Sequence, residues 1–199
     1  MDTSHGSGAS NPQKAETRLV TAGRDTNAQK GFVNPPVVHG STVLYPTAAD
    51  LHAHRGEFQY GRLGTPTTKA LQETLMALEG SQCAGVGLLP SGLAAISTTL
   101  LAVLKAGDHL LVCDNVYRPS RNFCDGVLSR YGVETSYFDP TMGAGIEKLF
   151  KPNTRAVLLE APGSQSFEMP DIPAIAIVAH GHGALVIDDN TWATPLNAA

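Results

Sequence analysis

Charge is sparse in this sequence. Only 16% of its 199 residues are Asp, Glu, Lys or Arg, and 14 basic against 18 acidic residues leave a net charge of -4 with no basic run. A nucleic-acid partner needs a concentrated positive footprint, so DNA and RNA are excluded. Cysteine is scarcer still: Cys83, Cys113 and Cys124 are odd in number and none forms a C-x-x-C pair. That argues against a disulfide framework and a thiolate zinc site, and leaves buried or idle thiols. His52 and His54, like His180 and His182, stand two apart, a spacing that separates side chains on strand and helix alike, so no metal site is expected. Long hydrophobic runs are missing too. The most apolar stretches, 96–105 and 172–179, fall well short of the roughly 20 residues that cross a bilayer, so no membrane partner is expected. Residues 1–16 lack the apolar core of a secretory signal; they are expected to form a disordered polar head, and the protein is expected in the cytoplasm.

What is present suits a packed globule, with 42% hydrophobic residues. Residues 17–28 suggest a short irregular or helical piece, Asn34-Pro35-Pro36 forces an extended path, and the chain up to Gly64 reads as an arm. From there the pattern changes. Thr65 can cap, Pro66 fits the first helical position, Leu71, Leu75 and Leu78 recur at helical spacing, and Gly80 stops the run.

Beyond that helix, strand-like and helix-like stretches alternate. Strands are expected over 84–89, 109–113, 133–138, 155–160 and 184–188, and helices over 93–105, 120–131, 146–151 and 172–180. Such alternation implies an α/β domain, its mainly parallel sheet covered by helices on both faces. Ligands in such sheets bind beyond the carboxyl ends of the strands, which singles out the segments beginning at Pro90, Asp114, Ala161 and Asp189.

Ser91-Gly92-Leu93 sits where a strand turns into a helix, and the free N–H groups of a first helical turn suit a phosphate; a plain turn is the alternative. Gly85 and Gly87 lack the third glycine of a dinucleotide fingerprint, and no G-x-S-x-G elbow surrounds Ser91. Asp188-Asp189-Asn190 follows a buried strand, where a carboxylate needs a partner or caps a turn. Arg62 of Tyr60-Gly61-Arg62 can fork onto phosphate oxygens or simply decorate a loop, and Tyr117 can stack on a planar ligand or pack.

The ordered set Tyr60-Gly61-Arg62, Pro90-Ser91-Gly92-Leu93-Ala94-Ala95, Asn115-Val116-Tyr117-Arg118-Pro119-Ser120, Glu160-Ala161-Pro162-Gly163-Ser164 and Asp189-Asn190-Thr191-Trp192-Ala193 resembles the cysteine/methionine-metabolism family of pyridoxal-phosphate enzymes. The resemblance runs from about Thr17 to Leu196. Trp192 in the last motif, where γ-acting relatives usually carry Phe, and Ala-Pro-Gly-Ser in the fourth favour the β-lyase branch.

This resemblance implies the large domain of the aspartate-aminotransferase-like fold (fold type I), binding pyridoxal 5'-phosphate. It implies that Ser91, Gly92 and Leu93 hold the phosphate. Tyr60 and Arg62, on an arm over residues 17–64, would reach the phosphate in a neighbouring subunit of a homo-oligomer, a tetramer built from dimers. Tyr117 would stack on the ring, Ser164 would face the ring hydroxyl, Asp189 would pair with the ring nitrogen, and Thr191 would lie beside them; Tyr117 and Tyr60 are the catalytic candidates. The activity implied is β-elimination of cystathionine to homocysteine, pyruvate and ammonia in methionine biosynthesis.

One departure stands out. The lysines are Lys14, Lys30, Lys69, Lys105, Lys148 and Lys151, and none follows Asp189 in the context of the family's Schiff-base lysine. The expectation is a large domain over 65–199 that is incomplete, without the C-terminal domain, and inactive by itself. A γ-acting relative, a non-catalytic cofactor-binding fragment and a nucleotide-binding α/β domain are the competing readings.

Overall fold

The computed structural model describes residues 13–197. Of the polar head expected over 1–16, residues 1–12 lie outside the described part, and Ala15 and Glu16 open a helix. The chain divides into two compact units, 1–88 and 89–199.

The first unit holds α1 (Ala15–Thr21), α2 (Ala48–His52) and α3 (Pro66–Glu79). α3 starts as its sequence dictates: the Thr65 hydroxyl accepts from the Thr68 N–H while the Thr68 hydroxyl receives the Thr65 N–H, and Gly80, at φ 92°, ends it. α1 packs on α3, where Arg18 donates to the Ala77 carbonyl at 3.0 Å and the Thr74 hydroxyl donates to the Ala22 carbonyl at 3.0 Å. The extended stretch after Pro35 is tied down by one hydroxyl, since Thr67 Oγ1 accepts from the Val38 N–H at 2.8 Å and donates to the Pro36 carbonyl at 2.6 Å. Tyr60 forms an isolated antiparallel bridge with Thr42. Gly61 next to it donates to the Ser41 carbonyl at 2.7 Å, and a Cβ there would collide with the Gly40 carbonyl, so glycine is required.

The second unit is a four-stranded parallel sheet of β1 (His109–Cys113), β2 (Glu134–Phe138), β3 (Thr154–Glu160) and β4 (Leu185–Asp189), in the order β2-β1-β3-β4. α4 (Gly92–Val103) precedes it. α5 (Arg118–Phe123) runs on into a π turn (Cys124–Leu128), a kinked 3₁₀ segment (Pro140–Leu149) connects β2 to β3, α6 (Ile172–Gly181) connects β3 to β4, and α7 (Thr194–Asn197) follows. The two inner strands carry the core: Leu110, Leu111, Val112 and Cys113 of β1 and Ala156, Val157, Leu158 and Leu159 of β3 are buried, packed with Leu100, Leu128, Ile146 and Ile175. Each buried Val, Leu or Ile side chain among them contributes about 1.5–3 kcal/mol. The outer strands β2 and β4 are half-buried, as edges of a parallel sheet are.

Two expectations fail. No strand forms over 84–89, because an extended run becomes a strand only with a ladder partner, and none lies beside it among the described residues. The helix expected over 146–151 is the tail of the 3₁₀ segment, which is broken at Gly143, where φ is 50° and ψ is -132°. The cysteines are free thiols; burial pushes Cys113 up to about 11 and Cys124 up to about 12, which keeps them protonated and inert. Among the described residues no helix is long and apolar enough to cross a membrane.

Candidate functional site

The strand order reverses at β1: the chain steps from β1 outward to β2, then returns across β1 to β3. In open α/β sheets that reversal leaves a crevice beyond the carboxyl ends of the strands flanking it. A cavity of about 600 Å³ lies there, lined by Ser91, Gly92 and Leu93 at the start of α4, Tyr117 after β1, Glu160 at the end of β3 and Ser164 after it, and Asp189 at the end of β4 with Thr191 and Trp192 after it. Its size is that of a pocket for a small molecule or cofactor.

α4 begins at this cavity because Ser91 caps it. The Ser91 hydroxyl accepts from the Ala94 N–H at 3.1 Å, which leaves the N–H groups of Gly92 and Leu93 without a partner among the described residues. A Cβ at Gly92 would meet nothing within 4 Å, so the approach to those donors is open. Unpaired N–H groups at the positive end of a 12-residue helix form an anion site.

Strand alternation sends Asp189 to the cavity side of β4 and Asp188 and Asn190 to the other. Oδ1 of Asp189 accepts from the Thr191 N–H at 3.1 Å and from its hydroxyl at 2.5 Å, so this acid does close a turn. Its second oxygen has no hydrogen-bond partner among the described residues, and no lysine or arginine pairs with it there. Asp188, on the far side, is pushed up to about 6 by burial and by the neighbouring charge of Asp189.

On β3, Glu160 stands in register with Asp189 and is only 2% exposed. Burial raises its pKa, against a hydrogen bond from the Tyr117 N–H to Oε2 at 2.5 Å. The loop that follows turns through a cis Ala161–Pro162 bond and brings Ser164 back to the cavity, its buried hydroxyl near the Glu160 carboxylate but without a well-formed hydrogen bond. Gly163 sits flush against the Asn115 side chain, and both Gly163 N–H (3.0 Å) and Asn115 Nδ2 (3.2 Å) donate to the Glu168 carbonyl. Phe167 meets Trp192 edge to face at 5.2 Å, closing one wall.

Of the residues singled out from the sequence, Ser91, Gly92, Leu93, Tyr117, Ser164, Asp189 and Thr191 therefore share one cavity. Tyr60 and Arg62 belong to the first unit, where the Arg62 guanidinium lies 5.5 Å from the Tyr60 ring centre. Glu160 carries no assigned role in the sequence reading, although a glutamate closing the apolar run 156–159 is itself a signal that a buried acid faces the ligand side.

A larger crevice of about 730 Å³ lies beside Asp114, Arg121 and Tyr137. Arg121 there covers the Tyr137 ring at 3.7 Å and pairs with Asp114, while the Tyr137 hydroxyl donates to Asp125 at 2.6 Å. These groups satisfy one another. In the first cavity the α4 N–H groups, the Ser164 hydroxyl and one Asp189 oxygen remain to be met, and they suit a flat ring carrying a phosphate, a hydroxyl and a protonated nitrogen.

The chain matches the Cys/Met metabolism PLP-dependent enzyme family over residues 16–199. It is 57% identical over 180 residues to a Rhizobium johnstonii protein provisionally named a cystathionine beta-lyase, covering 90% of this chain and 45% of that one. It is 43% identical over 188 residues to the cystathionine beta-lyase of Salmonella typhimurium, covering 91% and 47%. The crystal structure of cystathionine gamma-lyase from Lactobacillus plantarum complexed with L-serine superposes with a TM-score of 0.83 at 32% identity, over 92% of this chain and 46% of that one. The chain thus spans about half the length of the curated relatives it matches.

Proposed function

Since the chain belongs to the Cys/Met metabolism PLP-dependent enzyme family, we propose that its 600 Å³ cavity binds pyridoxal 5'-phosphate and serves a carbon–sulfur lyase that cleaves cystathionine by β-elimination. The observation that carries this is the convergence of an uncapped pair of helix N–H groups, a half-exposed tyrosine, a buried unpartnered hydroxyl and a carboxylate oxygen on one cavity.

When bound, the cofactor supplies an electron sink for the carbanion left by loss of the substrate α-proton. The chain's own residues arrange that. Gly92 and Leu93 bind the phosphate through their N–H groups, and the Ser91 side chain contributes by holding that turn open. Asp189 holds a proton on the ring nitrogen, and a carboxylate in that place favours the protonated form by about 1–3 pKa units. Tyr117 covers the ring face, the Ser164 hydroxyl meets the ring hydroxyl, and Thr191 keeps Asp189 aimed. Tyr60 and Arg62 reach a neighbouring subunit's site in a homo-oligomer. No lysine of this chain is assigned to proton transfer.

The test is a titration of the purified chain with pyridoxal phosphate, followed by borohydride reduction and a pyruvate assay with cystathionine. Binding without covalent fixation and without pyruvate is expected. Absence of binding overturns the site, and fixation to a lysine of this chain, or pyruvate release, overturns the reading that none of its lysines takes part. The γ-acting reading is favoured by the likeness to a cystathionine gamma-lyase structure; Trp192 in the cavity wall favours the β-acting one. In an active assembly, 2-oxobutyrate as product would decide for the former.

A further inference from the structure

We infer, on the reading just given, that Glu160 is a positioning residue which aims the Tyr117 ring over the cavity by gripping its main chain. Tyr117 is 46% exposed, so packing leaves much of its ring unsupported. A side chain in that state is directed chiefly by its Cα–Cβ bond, and that bond follows the backbone. Here the backbone is held on both sides. The Tyr117 carbonyl accepts from the Ser120 N–H at 2.9 Å and the Arg121 N–H at 3.2 Å, which starts α5. The Tyr117 N–H has no such helical partner; it donates to Glu160 Oε2 at 2.5 Å, across a separation of 43 residues.

That bond joins the end of β3 to the turn after β1, the two strands that flank the reversal of sheet order. Glu160 pairs with no lysine or arginine among the described residues, and the Asp189 carboxylate beside it in register already supplies a negative group to the cavity. What Glu160 adds is reach: an acceptor at the one distance from β3 that meets the Tyr117 N–H. Removing one methylene withdraws that acceptor by about 1.5 Å, more than a short hydrogen bond tolerates.

Reach and charge are separable. Glu160→Gln keeps the length and an acceptor oxygen while removing the charge, and Glu160→Asp keeps the charge while losing the length. Each variant, with Glu160→Ala and Tyr117→Ala, is titrated with pyridoxal phosphate, and the visible circular-dichroism band of the bound ring is recorded alongside affinity. Glu160→Gln is expected to bind within about twofold of the native chain with the band intact. Glu160→Asp and Glu160→Ala are expected to weaken binding about tenfold or more and to shrink the band toward that of Tyr117→Ala. Adding Glu160→Asp to Tyr117→Ala should cost little further, because both act on one ring.

Asp behaving as native while Gln loses affinity would overturn the inference in favour of charge, and native behaviour of all variants would overturn it outright. If Glu160→Ala does not fold, the near-isosteric Gln and Asp pair decides. A native chain that binds no cofactor sinks the functional reading and this inference with it, whereas native binding with unresponsive Glu160 variants sinks the inference alone.

Discussion

His109 Nδ1 lies 2.7 Å from the Thr154 hydroxyl, joining β1 to β3 at the end of the sheet opposite the cavity. The other ring nitrogen lies 2.9 Å from the Ser136 hydroxyl on β2, so one fully buried imidazole links three strands. Thr154 Oγ1 also accepts from the Lys151 N–H at 2.8 Å, which suits a neutral ring accepting from Thr154 and donating to Ser136.

Burial first, and Lys151 second, hold the His109 pKa below its ordinary value. The folded state therefore binds this proton less readily than the unfolded chain, whose histidine titrates near 6.5. The contribution to stability is complete above that value and is lost as pH falls below it. Between pH 7.5 and pH 5 the urea midpoint of the native chain should fall relative to that of His109→Gln; parallel pH profiles would refute this.

Asp188 carries the opposite sign. Its folded pKa of about 6 lies above the ordinary carboxylate value, so its contribution is fully present below the unfolded value and is lost as pH rises to about 6. Asp188→Asn is expected to stabilise the chain at pH 7 by about 1 kcal/mol, the full linkage being discounted for partial solvation. A midpoint unchanged at pH 7 would count against it.

Gly163→Ala drives a methyl into the Asn115 side chain and disturbs the pair of donors on the Glu168 carbonyl. A loss of about 1–3 kcal/mol is expected from the overpacking. Asn115→Gly removes the three side-chain atoms that methyl would meet first, its Cβ included, so the double variant should lose less than the sum of the singles, which a double-mutant cycle of denaturation midpoints measures directly.

Asp189→Asn keeps an oxygen for the Thr191 turn while removing the charge, whereas Asp189→Ala loses both. With pyridoxal phosphate, both variants are expected to bind about tenfold more weakly and to shift the absorption band of the bound ring. Only the alanine variant should lower thermal stability as well. Spectra identical to native in Asp189→Asn would remove this acid from the ring nitrogen.

The four strands of the sheet are legible in the sequence to within a residue or so because β1, β3 and β4 carry short apolar runs and β2 carries strand-favouring Thr, Tyr and Phe, and α3 is legible from Thr65, Pro66, the leucine spacing and Gly80. Residues 84–89 have the same look and form no strand, since ladder pairing is a property of neighbours that local pattern cannot supply. The cavity side of β4 follows from alternation, which tells Asp189 from Asp188 once the strand is known. Glu160 is different: its link to Tyr117 crosses 43 residues, and neither spacing nor propensity encodes such a partner.

The reversal of strand order has a consequence for how this pocket can change. Its walls hang from four separate connections, at residues 91–93, 117, 160–164 and 189–192, each anchored on its own rigid element. Apart from the Glu160–Tyr117 bond, which ties two of them together, a substitution in one connection reshapes one wall while the other three keep their footing, so selectivity can drift piecemeal across descendants of this scaffold without the framework being rebuilt.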